Sequence, residues 1–424
     1  MVMMIVDPIY GRFPLSEPVT TLCMTPEVRR LSQIRLLNTL SPSLATLGEI
    51  RRYSHTLGVL FLAFRNEFLV GAKEQQAFAA SVLLHDIGTP PFGHLLEYHL
   101  RERLSWDHES IIRRILTGSH VRENSAHQIF ANQPLAFRSN LRKSHIDLDL
   151  VQAIISGSHP HSQLLFGTLD FDNLDNVARM NWALGQLTSA DSLVRLATHL
   201  SVNDSGGLSL PIHMREDVRE WLRLREAAYQ VIVFDGPTVA AQAILSEALE
   251  IALDCGVIQK DDWVLTDEEL IAILLKEKRT KQSVARQYLG RPPESIFVLQ
   301  IRGSLQSLGF GSRRELTTAL KEVLRDVAGS QTLAYVFVDK GTFTKRVDLY
   351  DPTTGDRWSE GQLSESVLLY AFTSSTRPVP HAKRIQAVEG TISRLRISET
   401  SILRCEIGAK QNRSDAQQTF DIPA

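Results

Sequence analysis

The chain has 424 residues, 43% hydrophobic and 22% charged, with 46 Lys+Arg against 48 Asp+Glu and a formal net charge of -2. That balance gives no global electrostatic reason to expect nucleic acid or an anionic membrane as partner, although local basic patches can still form. The length accommodates one large core or two to three domains.

Cys23, Cys255 and Cys405 follow none of the paired spacings of zinc or redox motifs, so free thiols in a reducing compartment are expected. MVMMIVDPIYGRF has no basic flank and reaches Asp7-Pro8 too soon for a signal peptide. No apolar run is long enough to span a bilayer, and the expected location is cytoplasmic.

TPEVRRLSQIRLLNTL (25–40) offers Thr25 as N-cap, Pro26 at the first helical position, and an apolar stripe of Val28, Leu31, Ile34 and Leu37, which predicts a helix. Helices are expected next over 51–69 and 73–88, the second apolar all round as it nears His85, a pattern that belongs at the centre of a bundle. Further helical patterns cover 107–117, 147–156, 172–184 and 189–200; SVNDSGGLSLP (201–211) reads as a loop, and helices resume at 214–231 and 237–254. After Pro292-Pro293 the segments 296–303, 333–341 and 344–358 are rich in β-branched and aromatic residues and predict strands. The fold class expected is mainly α, a helical bundle over 1–290 with a smaller α+β region over 291–408 and a polar tail over 409–424. The sequence carries no internal repeat.

LLHDIGTPPFGH (83–94) places His85 and Asp86 where an apolar helix must end, at Gly88 and Pro90-Pro91. Adjacent helical residues point about 100° apart, so both can touch one ion only at a helix end. A lone His-Asp pair more often caps or bonds locally. Here it has company: RRYSH (51–55) puts Arg52 and His55 on one helix face, and TLDFDNLDNVAR (168–179) opens another helix with an acidic cluster. A histidine, a His-Asp pair and a later Asp on separate helices supply nitrogen and carboxylate ligands to one divalent metal.

That order resembles the HD-domain phosphohydrolase superfamily. RRYSHTLGV, HDIGTPPFGHLLE, WDHES (106–110), LDFDNLDNVAR and LRLREAAYQ (222–230) are similar, in the same order, to the motifs of its deoxynucleoside triphosphate triphosphohydrolase (dGTPase-like) branch, spanning about residues 20 to 280. The resemblance implies His55, His85, Asp86 and Asp172 as metal ligands, with Asp170 and Asp175 left as helix-capping carboxylates. It implies His94, oriented by Glu97, as the proton-transferring group, with His108 beside the metal-activated water and phosphate. Arg52 matches a phosphate-binding arginine and Tyr229 a residue beside the nucleoside. Arg52 bridging a carboxylate and Tyr229 as a packed aromatic remain the alternatives.

The chemistry suits the residue types: a divalent metal activates water and neutralises phosphoryl charge, and an imidazole moves a proton near neutral pH. The ligand set accepts Mn, Fe, Co, Ni or Zn; the resemblance favours Mn or Fe, with Mg as a nucleotide counterion. It also implies a nucleotide activator and a homo-oligomer, a tetramer or hexamer. The sequence departs from the branch at Thr89, Asn173, Asn176 and Met180; Asn176 stands where relatives contact substrate. Those departures keep open a phosphohydrolase or phosphodiesterase for another nucleotide, and a nucleotide-sensing or nucleic-acid-binding scaffold.

Overall fold

The computed structural model describes residues 2–408 apart from 39, 40, 42, 70, 119–135, 290–292, 330, 342, 376 and 377; the 409–424 tail lies outside the described residues. The chain is mainly α with a smaller α+β region. It forms two compact units, one from residues up to 290 together with 342–363, the other from 291–341 and 364 onward. No helix among the described residues is long and apolar enough to cross a membrane.

In the first unit, helix Arg52–Arg65 lies against Ala72–Leu84, Phe171–Ala183 and Asp191–His199, and Arg215–Phe234 packs on the last two. Ala72–Leu84 is buried from Ala77 to Leu84, in keeping with its apolar circumference. The helix expected over 25–40 is shorter: Pro26–Arg30 and a 3-10 turn Leu31–Gln33, after which Ile34 is extended. Tertiary hydrogen bonds override its helical pattern. Arg52 N–H donates to Ile34 O at 2.9 Å, Leu36 N–H to Ile50 O at 2.9 Å, and Arg35 N–H to the Asp267 carboxylate at 2.8 Å.

The second unit carries an antiparallel sheet in the order Ile402–Ile407, Glu294–Arg302, Glu365–Thr373, Thr332–Lys340. Helices Arg313–Ala328 and His381–Arg394 complete a β-α-β-β-α-β succession, and Leu316, Leu320, Leu324, Ala387 and Val388 share its buried core with Leu299, Val336 and Leu369. The segment 342–363, read from sequence as part of this C-terminal region, belongs instead to the first unit. Strand Arg346–Tyr350 runs parallel to Leu208–Ser209, Trp358 Nε1 donates to Leu210 O at 3.2 Å, and Arg215 and Arg219 pair with Glu360. Strand propensity announces a strand but carries no information about which sheet receives it.

Candidate metal centre and active site

Helix Ala72–Leu84 stops one residue before His85, which is its C-cap. The chain then turns through Gly88, where a Cβ would sit 2.7 Å from the His108 carbonyl oxygen, so the turn needs a residue without one. Arg30 holds this loop from behind. Its buried guanidinium donates to the carbonyls of Thr89, Trp263, Val264 and Leu265 at 2.5–2.9 Å.

His85 Nδ1 donates to Val82 O at 2.5 Å, which aims Nε2 away from its own helix. That Nε2 is buried and has no hydrogen-bond partner among the described residues, lying 3.6 Å from both Asp86 Oδ2 and Asp172 Oδ1. His55, on helix Arg52–Arg65, donates from Nδ1 to Asp175 Oδ2 at 2.7 Å and sets Nε2 2.8 Å from Asp172 Oδ1. One ligand atom each of His55, His85 and Asp86 lie within 4.8 Å of one another, and all three residues are buried. This His-His-Asp group could bind a metal: it joins two imidazoles and a carboxylate, the donor mix of first-row divalent ions, and leaves a buried ring nitrogen unsatisfied. Asp172 is drawn to the same place by its contacts with both histidines.

The charges are strongly mutual. Burial alone would lower the His55 pKa, but the hydrogen bonds to Asp172 and Asp175 overcome it and hold the imidazole at about 9. Burial would raise Asp86, yet Arg52, then His85 and His55, keep it well below the usual carboxylate range. Arg52 Nη1 donates to both Asp86 oxygens at 2.8 Å, so here the guanidinium bridges a carboxylate.

A second group stands on Gly93-capped helix His94–Leu104. Buried Glu97 accepts from His94 Nδ1 at 3.0 Å, His108 Nδ1 at 2.8 Å and Arg101 at 2.6 Å. Burial would raise the Glu97 pKa, but the bonds from His108 and His94 hold it well below its ordinary value. The His94 side chain is 73% exposed, that of His108 27%. Tyr229 is half-buried on helix Arg215–Phe234 with Arg225 over its ring at 4.8 Å. Asn176 Nδ2 donates to Asp172 Oδ1 at 3.0 Å.

Two carboxylates read together as caps part ways. Asp170 is the N-cap of helix Phe171–Ala183, accepting from Asn173 N–H at 2.7 Å, and burial followed by the Asp172 charge raises its pKa to about 7. Asp175 caps nothing: it takes the His55 Nδ1 proton and the Arg179 Nε–H at 2.7 Å, and Arg179 reaches on to Asp7 at 2.7 Å. This buried chain orients His55 from behind. Gly58, one turn beyond His55, makes the approach feasible, because a Cβ there would overlap the Asp175 carboxylate and Arg179. A glycine inside a buried apolar helix was the sequence signal for it.

No family model matches the chain. It is 24% identical over 247 residues to an uncharacterized protein of Methanocaldococcus jannaschii, covering 56% of this chain and 48% of the relative; this chain's match therefore spans about half of that protein's length. It is 24% identical over 301 residues to an uncharacterized protein of Mycoplasma genitalium, covering 66% of this chain and 67% of the relative. Among solved structures it is similar to a hypothetical protein from Aquifex aeolicus, with TM-score 0.66 and 17% identity over 93% of this chain and 100% of that one. It is also similar to a phosphohydrolase from Bacteroides thetaiotaomicron, with TM-score 0.62 and 16% identity over 87% of this chain and 99% of that one. The architecture built above is thus shared with both solved structures across nearly their whole length.

Proposed function

We propose that the protein is a metal-dependent phosphohydrolase of the HD type that converts a deoxynucleoside triphosphate to deoxynucleoside and tripolyphosphate. The observation that carries this reading is the meeting of His55, His85 and Asp86 ligand atoms within 4.8 Å, with the Glu97 histidine pair nearby in the chain. A phosphohydrolase of like fold adds support.

In this reading His55, His85, Asp86 and Asp172 hold one divalent cation, Mn or Fe by resemblance. When bound, it supplies Lewis acidity toward water and the phosphoryl oxygens. The chain's own residues do the rest. Asp175 and the Val82 carbonyl fix the two ligand imidazoles with Nε2 inward. As the water oxygen joins the α-phosphorus and the bond to the 5′ oxygen breaks, His94 delivers the proton that the departing oxygen needs. Glu97 stays ionised and orients His94, while its bond to His108, whose pKa burial lowers but Glu97 raises more strongly, favours the protonated form of a second imidazole beside the phosphate. Arg52 exchanges Asp86 for phosphate oxygens when substrate arrives.

Incubation with each deoxynucleoside triphosphate, singly and mixed, in Mn should release tripolyphosphate and deoxynucleoside. A folded, metal-loaded protein that releases neither contradicts the proposal. A second reading, hydrolysis of a different nucleotide, is favoured by Asn173, whose side chain is committed to Asp170 and Arg225, and by Asn176, committed to Asp172. A dominant monophosphatase or phosphodiesterase product over a nucleotide panel selects it. The proposed nucleotide activator and tetramer or hexamer are tested by solution mass with and without nucleotide.

A further inference from the structure

Asp267, which belongs neither to the His-His-Asp cluster nor to the Glu97 group, holds the chain where it enters the helices of both. It is the first residue of helix Asp267–Lys276, and its side chain is fully buried. That helix is already capped: Thr266 accepts from Glu269 N–H at 3.3 Å, and Glu269 accepts from Thr266 N–H at 2.7 Å. The Asp267 carboxylate points elsewhere. One oxygen accepts from Phe92 N–H at 2.8 Å, and the other from Arg35 N–H at 2.8 Å and the Arg35 guanidinium at 3.3 Å. Burial pushes the Asp267 pKa up to about 6 although these bonds pull it down, so the charge is kept there at a cost.

The bond to Phe92 falls on a strained turn. Phe92 has φ +57°, which a bulky residue rarely adopts, and Gly93 follows at φ +51°. A Cβ on Gly93 would lie 2.8 Å from Arg52 Nη2, so the turn backbone packs directly on that guanidinium. Gly93 O then accepts from Glu97 N–H at 3.1 Å, and Glu97 is the carboxylate that joins His94 to His108. The bond to Arg35 falls on the other approach, beside Ile34, whose carbonyl accepts from Arg52 N–H at the start of the His55 helix. Strained backbone persists only where its surroundings over-determine it, and a buried carboxylate shared by two backbone N–H groups is such a determinant.

We propose that Asp267 is a positioning residue: it sets the Phe92–Gly93 turn, and with it the His94, Glu97 and His108 group, against the helix that carries Arg52 and His55. This deepens the proposed function and rests on that reading for its effect on turnover.

The test compares three variants of the full chain. Asp267→Asn leaves one oxygen for two N–H groups, Asp267→Ala leaves none, and Thr266→Ala uncaps the same helix while sparing the turn. Both Asp267 variants should lower kcat for a deoxynucleoside triphosphate in Mn by about 10- to 100-fold, the scale of a small misplacement, and keep wild-type Mn affinity. In both, the His108 resonance of isotope-labelled protein should titrate at lower pH than in the wild type, because its bond to Glu97 is loosened. Thr266→Ala should lower the melting temperature and leave kcat and the His108 titration unchanged. In the wild type itself, the Phe92 and Arg35 amides should exchange as slowly as those of buried helices. Wild-type kcat and His108 titration in both Asp267 variants, equal losses in Thr266→Ala, or fast exchange at either amide overturns the proposal. A wild type that hydrolyses no nucleotide, while His108 still shifts in the Asp267 variants, sinks the hydrolase reading and leaves the positioning role standing.

Discussion

The cluster of His55, His85, Asp86 and Asp172 and the pair of cations at Trp221 differ in where their residues come from and in how their charges are held. His55, His85, Asp86 and Asp172 sit on or at the ends of three neighbouring helices, and each ionised group has a counter-charge in contact. Lys345, just ahead of strand Arg346–Tyr350 far along the chain, lies 5.7 Å from the Trp221 ring, and Arg225 lies 6.0 Å from the same ring. A preorganised cluster of the first kind suits a resident ion. The two regions should respond differently to mutation.

The largest expected effect is at Asp86. Asp86→Ala removes a donor and leaves Arg52 buried without its partner, so metal binding and turnover should vanish together, a loss larger than the about 100-fold typical of outer partners. Metal content and turnover measured on one preparation check this; retained turnover would favour a metal-independent reaction. His94→Ala should lower kcat by roughly 10²–10⁴-fold with Mn affinity intact, which separates proton transfer from metal holding. Asp175→Asn should weaken Mn binding by about 10- to 100-fold, because Asp175 orients the His55 imidazole.

The smallest effect is in pH. In the metal-free protein the raised His55 pKa contributes stability that is fully present below 6.5 and is lost as pH rises through about 9. A cation must displace that proton, so apparent Mn affinity should rise with pH between those values, by about tenfold per unit for one proton displaced. Calorimetry in buffers of differing ionisation enthalpy reads the proton released at pH 7.5; no release would mean that His55 is not a ligand.

The contrast between the two regions also governs what could be read from the residues. The candidate metal-binding cluster is written in short local patterns: a histidine at one helix start, a His-Asp pair where a helix must end, an Asp opening a third. Helix periodicity located most of the bundle, because burial on one stripe leaves a local signature. It failed from Ile34 to Leu36, where Ile34 O accepts from Arg52 N–H, Arg35 N–H donates to the Asp267 carboxylate and Leu36 N–H donates to Ile50 O in place of helical bonds. Helices His94–Leu104, Arg313–Ala328 and His381–Arg394 were not marked; the first follows a proline turn with positive φ at Phe92 and Gly93. The carboxylate behind His55 was visible as Asp175 but misassigned to capping, since only the packing at Gly58 shows which way it faces. Arg30, Asp267 and Lys345 act through contacts more than a hundred residues distant or in another sheet, for which no local pattern exists.

Anomalous diffraction from crystals of the Mn-loaded protein tests the central claim most directly. A single strong peak within coordination distance of His55 Nε2, His85 Nε2, Asp86 and Asp172 is the expected result. A protein that binds Mn in solution but shows its peak elsewhere, or no peak among those four side chains, would contradict the account.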